Sequence, residues 1–238
     1  MTRSTYVLVH GAWHGGWCWV RVADRLRAAG HTVFTPTQTG LGERKHLMSA
    51  DITPETFTDD IANVIEAEEL DDVILVGHSF GGRPVCGVAD RTPQRLRRLV
   101  FVDASLPENG KSAFDNTLPE LRDARIKAAQ ESSGGLSLPA PPAAAFGVTD
   151  PDDVAWVERR MTPHPFKTYS LPSLLKNPIG NGVPATYIRC TAPAFANTAS
   201  SAEYAKSRPD WQYLEIATGH DAMVTKPAEL SEMLLAAP

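Results

Sequence analysis

The chain has 238 residues, 42% hydrophobic and 21% charged, with a formal net charge of −5. That apolar content excludes a disordered polymer, and mild acidity without a long basic run argues against a nucleic-acid partner. The length suits one domain with a modest insertion better than two independent domains. Cys18, Cys86 and Cys190 are odd in number and widely spaced, so neither a disulfide framework nor a CxxC metal site is expected. The chain reaches an apolar run by Tyr6 with no basic leader, and no apolar stretch approaches the roughly 18 residues of a membrane span. A cytoplasmic protein that does not enter membranes is the expectation.

Two hydrophobic periods alternate through the first half. Tyr6 to Val9 is a short apolar run ending in His10-Gly11, which predicts a buried strand entering a tight loop. Trp19, Val22, Ala23, Leu26 and Ala29 recur at helical steps, and Gly30 closes that helix. Thr32 to Thr35 reads as a strand stopped by Pro36, and Thr37 to Met48 as a polar loop. Phe57, Ile61, Val64 and Ile65 share a helical face, with Thr53 as its cap and Pro54 at its start. Val73 to Val76 is a third strand, a helix from about Gly81 to Arg91 follows, and Leu99 to Asp103 is a fourth strand. Short apolar strands alternating with amphipathic helices predict an α/β fold with a parallel sheet covered on both faces.

Between Ala104 and Val183 this rhythm breaks. Leu118 to Gln130 and Pro151 to Met161 have helical patterns, but Gly134 to Ala145 is dominated by Gly, Ser, Pro and Ala. Such a segment cannot bury a large core of its own. Residues 104–183 are therefore expected to form a small helical cap on a core made of residues 1–103 and 184–238. Ala185 to Cys190 and Trp211 to Ile216 bring the sheet to about six strands, and a last helix runs from about Pro227 to Ala236.

The chemistry concentrates in Gly77-His78-Ser79-Phe80-Gly81, a G-x-S-x-G pattern between a strand and a helix. A serine at so sharp a corner is lifted clear of the sheet, and the flanking glycines avoid collisions across the turn. The hydroxyl needs a base. Of seven histidines, His220 follows the last strand, at the sheet edge where catalytic groups of open α/β folds gather. His31 and His46 are read as solvated, His78 as packing, and His164 as structural or exposed. The loop His10 to Trp17 holds three glycines. It is expected to supply one oxyanion donor, the Ala12 N–H with Trp13 as the alternative, beside the Phe80 N–H. No spacing suggests a cofactor or a metal site.

The motifs HGAWHGGWCW (His10 to Trp19), TGLGER (Thr39 to Arg44), GHSFGG (Gly77 to Gly82), VFVDASLPENG (Val100 to Gly110) and GHDAM (Gly219 to Met223) occur in this order. Together they make the chain resemble the α/β-hydrolase group of plant methylesterases, hydroxynitrile lyases and small bacterial esterases. The resemblance covers nearly the whole chain except the Pro/Ala-rich middle of the insertion. It implies a Ser–acid–His triad, a helical cap, no cofactor and a small-molecule ester substrate. Two departures stand out. The hydroxynitrile lyases resembled carry a threonine after the first histidine of the oxyanion loop and a lysine after the catalytic histidine, where this chain has Gly11 and Asp221. That favours an esterase.

The acid is the second departure, because the stretch after Cys190 where the family places it has no carboxylate. Asp103, at the end of the preceding strand, is the first choice, Glu203 the second and Asp210 the third. Asp221 is expected to point elsewhere. Leu118, Leu121, Phe166, Leu171 and Leu175 are the candidate pocket residues of the cap. The function implied is ester hydrolysis by Ser79 and His220. A lyase or cyclase using the pocket for proton transfer, and a non-catalytic small-molecule receptor, are the alternatives. Whether an apolar cap face closes on ligand or on a second copy in a homodimer stays open.

Overall fold

The computed structural model describes residues 3–237. Strand β1 (Thr5–Val9) leads through a 3-10 turn (Gly16–Trp19) into α1 (Val20–Ala28), then β2 (Thr32–Phe34), α2 (Pro54–Ala67), β3 (Val73–His78), α3 (Gly82–Arg91) and β4 (Leu96–Val102). The insertion contains α4 (Pro119–Ser133), β5 (Ser137–Leu138), α5 (Pro151–Glu158), β6 (His164–Pro165) and α6 (Lys167–Ser170). Strand β7 (Ala185–Cys190), α7 (Ala199–Ser207), β8 (Trp211–Ile216), α8 (Ala222–Thr225) and α9 (Pro227–Ala236) complete the chain.

Six strands form one sheet in the order β2-β1-β3-β4-β7-β8, and every neighbouring pair is parallel. The reason lies in the strands themselves. Successive side chains point to opposite faces, and β3 is buried at all six positions, so both faces must be covered. Leu8, Ile74, Val76, Val100 and Ile188 face the core layer under α1 and α9 with Trp19, Leu26, Leu230 and Leu234. Val7, Val9, Leu75, Leu99, Phe101 and Tyr187 face the other layer, with Ile61 and Ile65 of α2, Val85 of α3 and Ala202 of α7. Each such side chain contributes roughly 1.5–3 kcal/mol when fully buried.

Local chemistry sets the ends of the elements. Thr53 and Thr56 form a reciprocal capping box at the start of α2, with Pro54 at its first position. Gly134, at φ +63°, ends α4 in the left-handed conformation. Within the insertion the only sheet pairing among the described residues that joins two strands is the two-residue antiparallel ladder of β5 with β6. No helix among the described residues is long and apolar enough to cross a membrane.

Candidate active site

Parallel strands end on one edge, and that edge collects the polar groups. Ser79 follows β3 directly and sits at φ +52°, a left-handed backbone that costs a non-glycine residue roughly 1–3 kcal/mol. The corner leaves no room around it. A Cβ on Gly81 would lie 2.6 Å from the His10 carbonyl oxygen and 2.8 Å from that of Val9, and one on Gly77 would lie 2.9 Å from the Gly81 oxygen. Gly11 is excluded from bearing a side chain by Ser79 itself, 2.8 Å from where its Cβ would be. The loop after β1 is thus pressed against the serine.

Ser79 Oγ lies 2.7 Å from His220 Nε2, and His220 Nδ1 lies 2.6 Å from Asp103 Oδ2. A carboxylate accepts, so Nδ1 carries the proton and Nε2 presents its lone pair to the serine hydroxyl. Asp103 follows β4 and is itself at φ +42°. Its second oxygen takes a hydrogen bond from Arg189 Nη1 at 3.0 Å and lies 3.1 Å from Thr198 Oγ1. This carboxylate is wholly buried and surrounded by donors. Phe195 stacks on the His220 ring at 3.9 Å between centroids. Of the three acids weighed from sequence, Asp103 is the one brought to His220. Glu203 is exposed on α7, and Asp210 is exposed and paired with Arg208.

Ala12 and Phe80 are both buried beside the serine. Of the two N–H groups weighed from sequence, that of Trp13 is engaged by His164 Nδ1 at 3.3 Å. His10 fixes the peptide preceding the Ala12 nitrogen. Its Nε2 accepts from the Gln38 N–H at 3.1 Å, so Nδ1 donates to the Gly11 carbonyl at 2.8 Å. Burial drives the His10 pKa down to about 3 and keeps the ring neutral. His164 is buried, not exposed. Its Nε2–H donates to Thr168 Oγ1, whose own proton goes to the Pro165 carbonyl. Desolvation holds its pKa well below 6.5.

His78 packs, as expected, under the His220 ring. Its ring centroid is 4.6 Å from that of His220, and its Nε2–H donates to the His220 carbonyl at 3.0 Å. Burial, reinforced by the neighbouring His220 ring, lowers its pKa well below the ordinary value. Sequence reasoning passed over His14, whose Nε2 is 3.0 Å from Asp221 Oδ2 in a fully buried ion pair. No local signal joins two residues so far apart in the chain; only the sheet edge does.

The pocket above Ser79 is lined by Trp13, Phe80, Ala113, Phe146, Tyr169 and Phe195, with Asn116, Arg125 and Asn197 on its polar side. It adjoins an apolar chamber of about 380 Å³ walled by Leu121, Leu138, Ala145 and the same Trp13 and Phe146. Arg125 lies over the rings of Trp13 and Tyr169, 5.4 and 5.6 Å from their centroids. Of the five cap residues expected to face the pocket, Leu121 does so. Leu118 and Leu171 point outward, Phe166 packs on Phe114, and Leu175 belongs to a separate cleft beside Pro84. Leu118, Phe166, Leu171 and Leu175 lie at helix ends or in loops of the insertion, where no hydrophobic period declares which side faces inward.

This arrangement of a strand–serine–helix corner, a terminal histidine and a parallel sheet with a helical insertion defines an α/β-hydrolase. The profile of the alpha/beta hydrolase family matches residues 6–233, and the chain belongs to that family and is a hydrolase of its type. Among named relatives, the carbendazim hydrolyzing esterase of Nocardioides sp. (strain SG-4G) is 42% identical over 241 residues, covering 98% of this chain and 99% of that protein. Esterase PIR7B of Oryza sativa subsp. japonica is 28% identical, covering 98% and 95%. The solved structure of an extracellular alpha/beta-hydrolase from a Paenibacillus species, described as sharing structural and functional homology with tobacco salicylic acid binding protein 2, superposes with a TM-score of 0.82. It is 26% identical and covers 98% of both chains.

Proposed function

We propose that this protein is a serine hydrolase that cleaves a small carboxylic ester through an acyl-enzyme intermediate, with residues 104–183 acting as a cap that shapes the pocket. Ser79 is the nucleophile, His220 the base, and Asp103 the acid that orients it. The observation that carries this reading is the 2.7 Å contact between Ser79 Oγ and His220 Nε2 at a strained corner. As Oγ attacks the ester carbonyl carbon, its proton passes to Nε2, and Asp103 steadies the imidazolium through Nδ1–H. The N–H groups of Ala12 and Phe80 receive the oxyanion. Collapse expels the alcohol, which takes the proton back from His220. Water then attacks the acyl-enzyme by the same route, its proton passing through Nε2 to Ser79 as the acid leaves.

The lyase or cyclase alternative drew its motive from a missing carboxylate, and Asp103 at 2.6 Å from Nδ1 removes that motive. The receptor alternative fits poorly with a hydroxyl, a base and an acid all in contact. The aromatic walls suit a flat acyl or carbamoyl group, and the Nocardioides relative makes carbendazim a substrate to try. The test is turnover of p-nitrophenyl acetate, p-nitrophenyl butyrate and carbendazim by the native chain and by Ser79→Ala, with fluorophosphonate labelling followed by peptide mass analysis. Native turnover and a label on Ser79, both lost in the variant, are expected. Replacement of a triad serine costs on the order of 10⁶-fold in kcat. Undiminished hydrolysis by Ser79→Ala would overturn the proposal.

A further inference from the structure

His14 and Asp221 sit behind the site, touch none of the proposed reacting atoms, and are both fully buried. His14 donates from both ring nitrogens: Nε2–H to Asp221 Oδ2 at 3.0 Å, and Nδ1–H to the Ala12 carbonyl at 2.8 Å. Both partners are acceptors, so the ring is an imidazolium. Burial alone would push its pKa down, but the Asp221 carboxylate raises it above 6.5, and the same pairing draws the carboxyl of Asp221 below its ordinary value against the opposing effect of burial.

Such a pair is a poor device for stability. Apolar residues of similar volume in place of a buried ion pair are often neutral or stabilising. Here the cost is sharper, because Asp221 Oδ1 has no hydrogen-bond partner among the described residues; His78 Nε2 is 3.7 Å away. What the pair does achieve is positional. It joins the loop after β1, which carries Ala12, to the residue that follows His220. From His14 the polar chain continues through the Ala12–Trp13 peptide to His164 and Thr168 of the insertion. Trp13 is held at φ +64° by three contacts with the insertion, counting that with His164: its N–H to His164, its carbonyl to the Thr162 N–H at 2.9 Å, and its indole N–H to the Leu138 carbonyl at 3.1 Å. The loop is therefore gripped from both sides, by the insertion at Trp13 and by the imidazolium at Ala12.

We infer that the His14–Asp221 ion pair is a positioning element for the oxyanion hole, fixing the Ala12 peptide in register with Ser79 and His220. The inference rests on the serine-esterase reading given above. His14 and Asp221 act through the Ala12 backbone and not on substrate.

The test uses two charge-free double variants of the full chain, His14→Leu with Asp221→Leu and His14→Gln with Asp221→Asn, so that no lone buried charge unfolds the protein. Each is assayed on a p-nitrophenyl ester and on its thionoester, whose sulfur accepts hydrogen bonds weakly and gains little from the hole. A positioning role predicts kcat on the ester down about 30-fold with KM within twofold, and the ester-to-thionoester ratio down about tenfold. Asp221→Asn alone, which keeps a polar partner for Nε2, should retain most of the ratio. A general loss of folded enzyme lowers both substrates alike. An unchanged ratio in the folded double variants, or wild-type kcat, overturns the inference. Absence of native turnover on any ester would instead sink the esterase reading, so the two failures are distinguishable.

Discussion

Asp103→Asn isolates the role proposed for Asp103, because its neighbours dictate how the amide must sit. Oδ1 of Asp103 faces the Arg189 guanidinium, which can only donate, so the asparagine oxygen is forced to that side. The NH2 group then points at His220 Nδ1 across the former 2.6 Å contact. Two donors cannot face each other, so His220 shifts its proton to Nε2 and donates toward Ser79 instead of accepting. The base is lost while size, burial and the bond to Arg189 are kept. The corresponding change in serine proteases lowers kcat about 10⁴-fold, equivalent to about 5.4 kcal/mol of lost transition-state stabilisation. Steady-state hydrolysis of p-nitrophenyl acetate alongside a thermal melt provides the measurement. A kcat within tenfold of the native value in a folded variant would refute the reasoning.

Gly81→Ala forces a methyl against two backbone oxygens that cannot yield, at 2.6 and 2.8 Å. A loss of about 3 kcal/mol is expected, or a fall in Tm of about 9 °C for a chain of this length, read by calorimetry; an unchanged Tm would contradict the close approach. Acid should unfold the protein early. His10, with a pKa near 3, and His78 and His164, well below 6.5, are neutral when folded and bind protons on unfolding. Their contribution is complete above about pH 6.5 and is lost as pH falls toward 3, at up to about 4 kcal/mol per pH unit for three protons. His14, raised above 6.5, is protonated in both states below that pH and does not offset the loss; its own contribution fades only as pH rises through its folded pKa. Urea unfolding at pH 7.5, 6 and 5 measures this, and a flat profile would speak against neutral buried histidines.

The central strands were legible because burial on both faces writes itself as near-continuous apolar runs such as Tyr6 to Val9 and Val73 to Val76. Strands β7 and β8 are more mixed in composition but stand out by their length and bounds. Ala185–Cys190 and Trp211–Ile216 agree with expectation to the residue. Helix α7 was missed because its sequence ASSAEYAKS is made of small residues that bury without an apolar stripe. Ser79 and His220 announced themselves through glycines and position along the chain. Asp103 did so only as a carboxylate at a strand end, and its partner Arg189 lies in a strand that reads as ordinary core apart from that one cation. The His14–Asp221 pair and the burial of His164 depend on contacts between distant loops, which no periodicity encodes. Cap residues facing the pocket were mostly misassigned for a related reason: the path of an irregular insertion is fixed by tertiary contacts such as the Trp13 indole on Leu138.

Three residues at the strand-end rim, Trp13, Ser79 and Asp103, hold backbone angles that an asparagine tolerates better and a glycine adopts freely. Directed evolution that rewarded heat tolerance alone would find relief at these corners first and would erase turnover in doing so. A laboratory lineage of this protein should therefore be screened for both traits in every round, since variants that melt latest will include ones that no longer react.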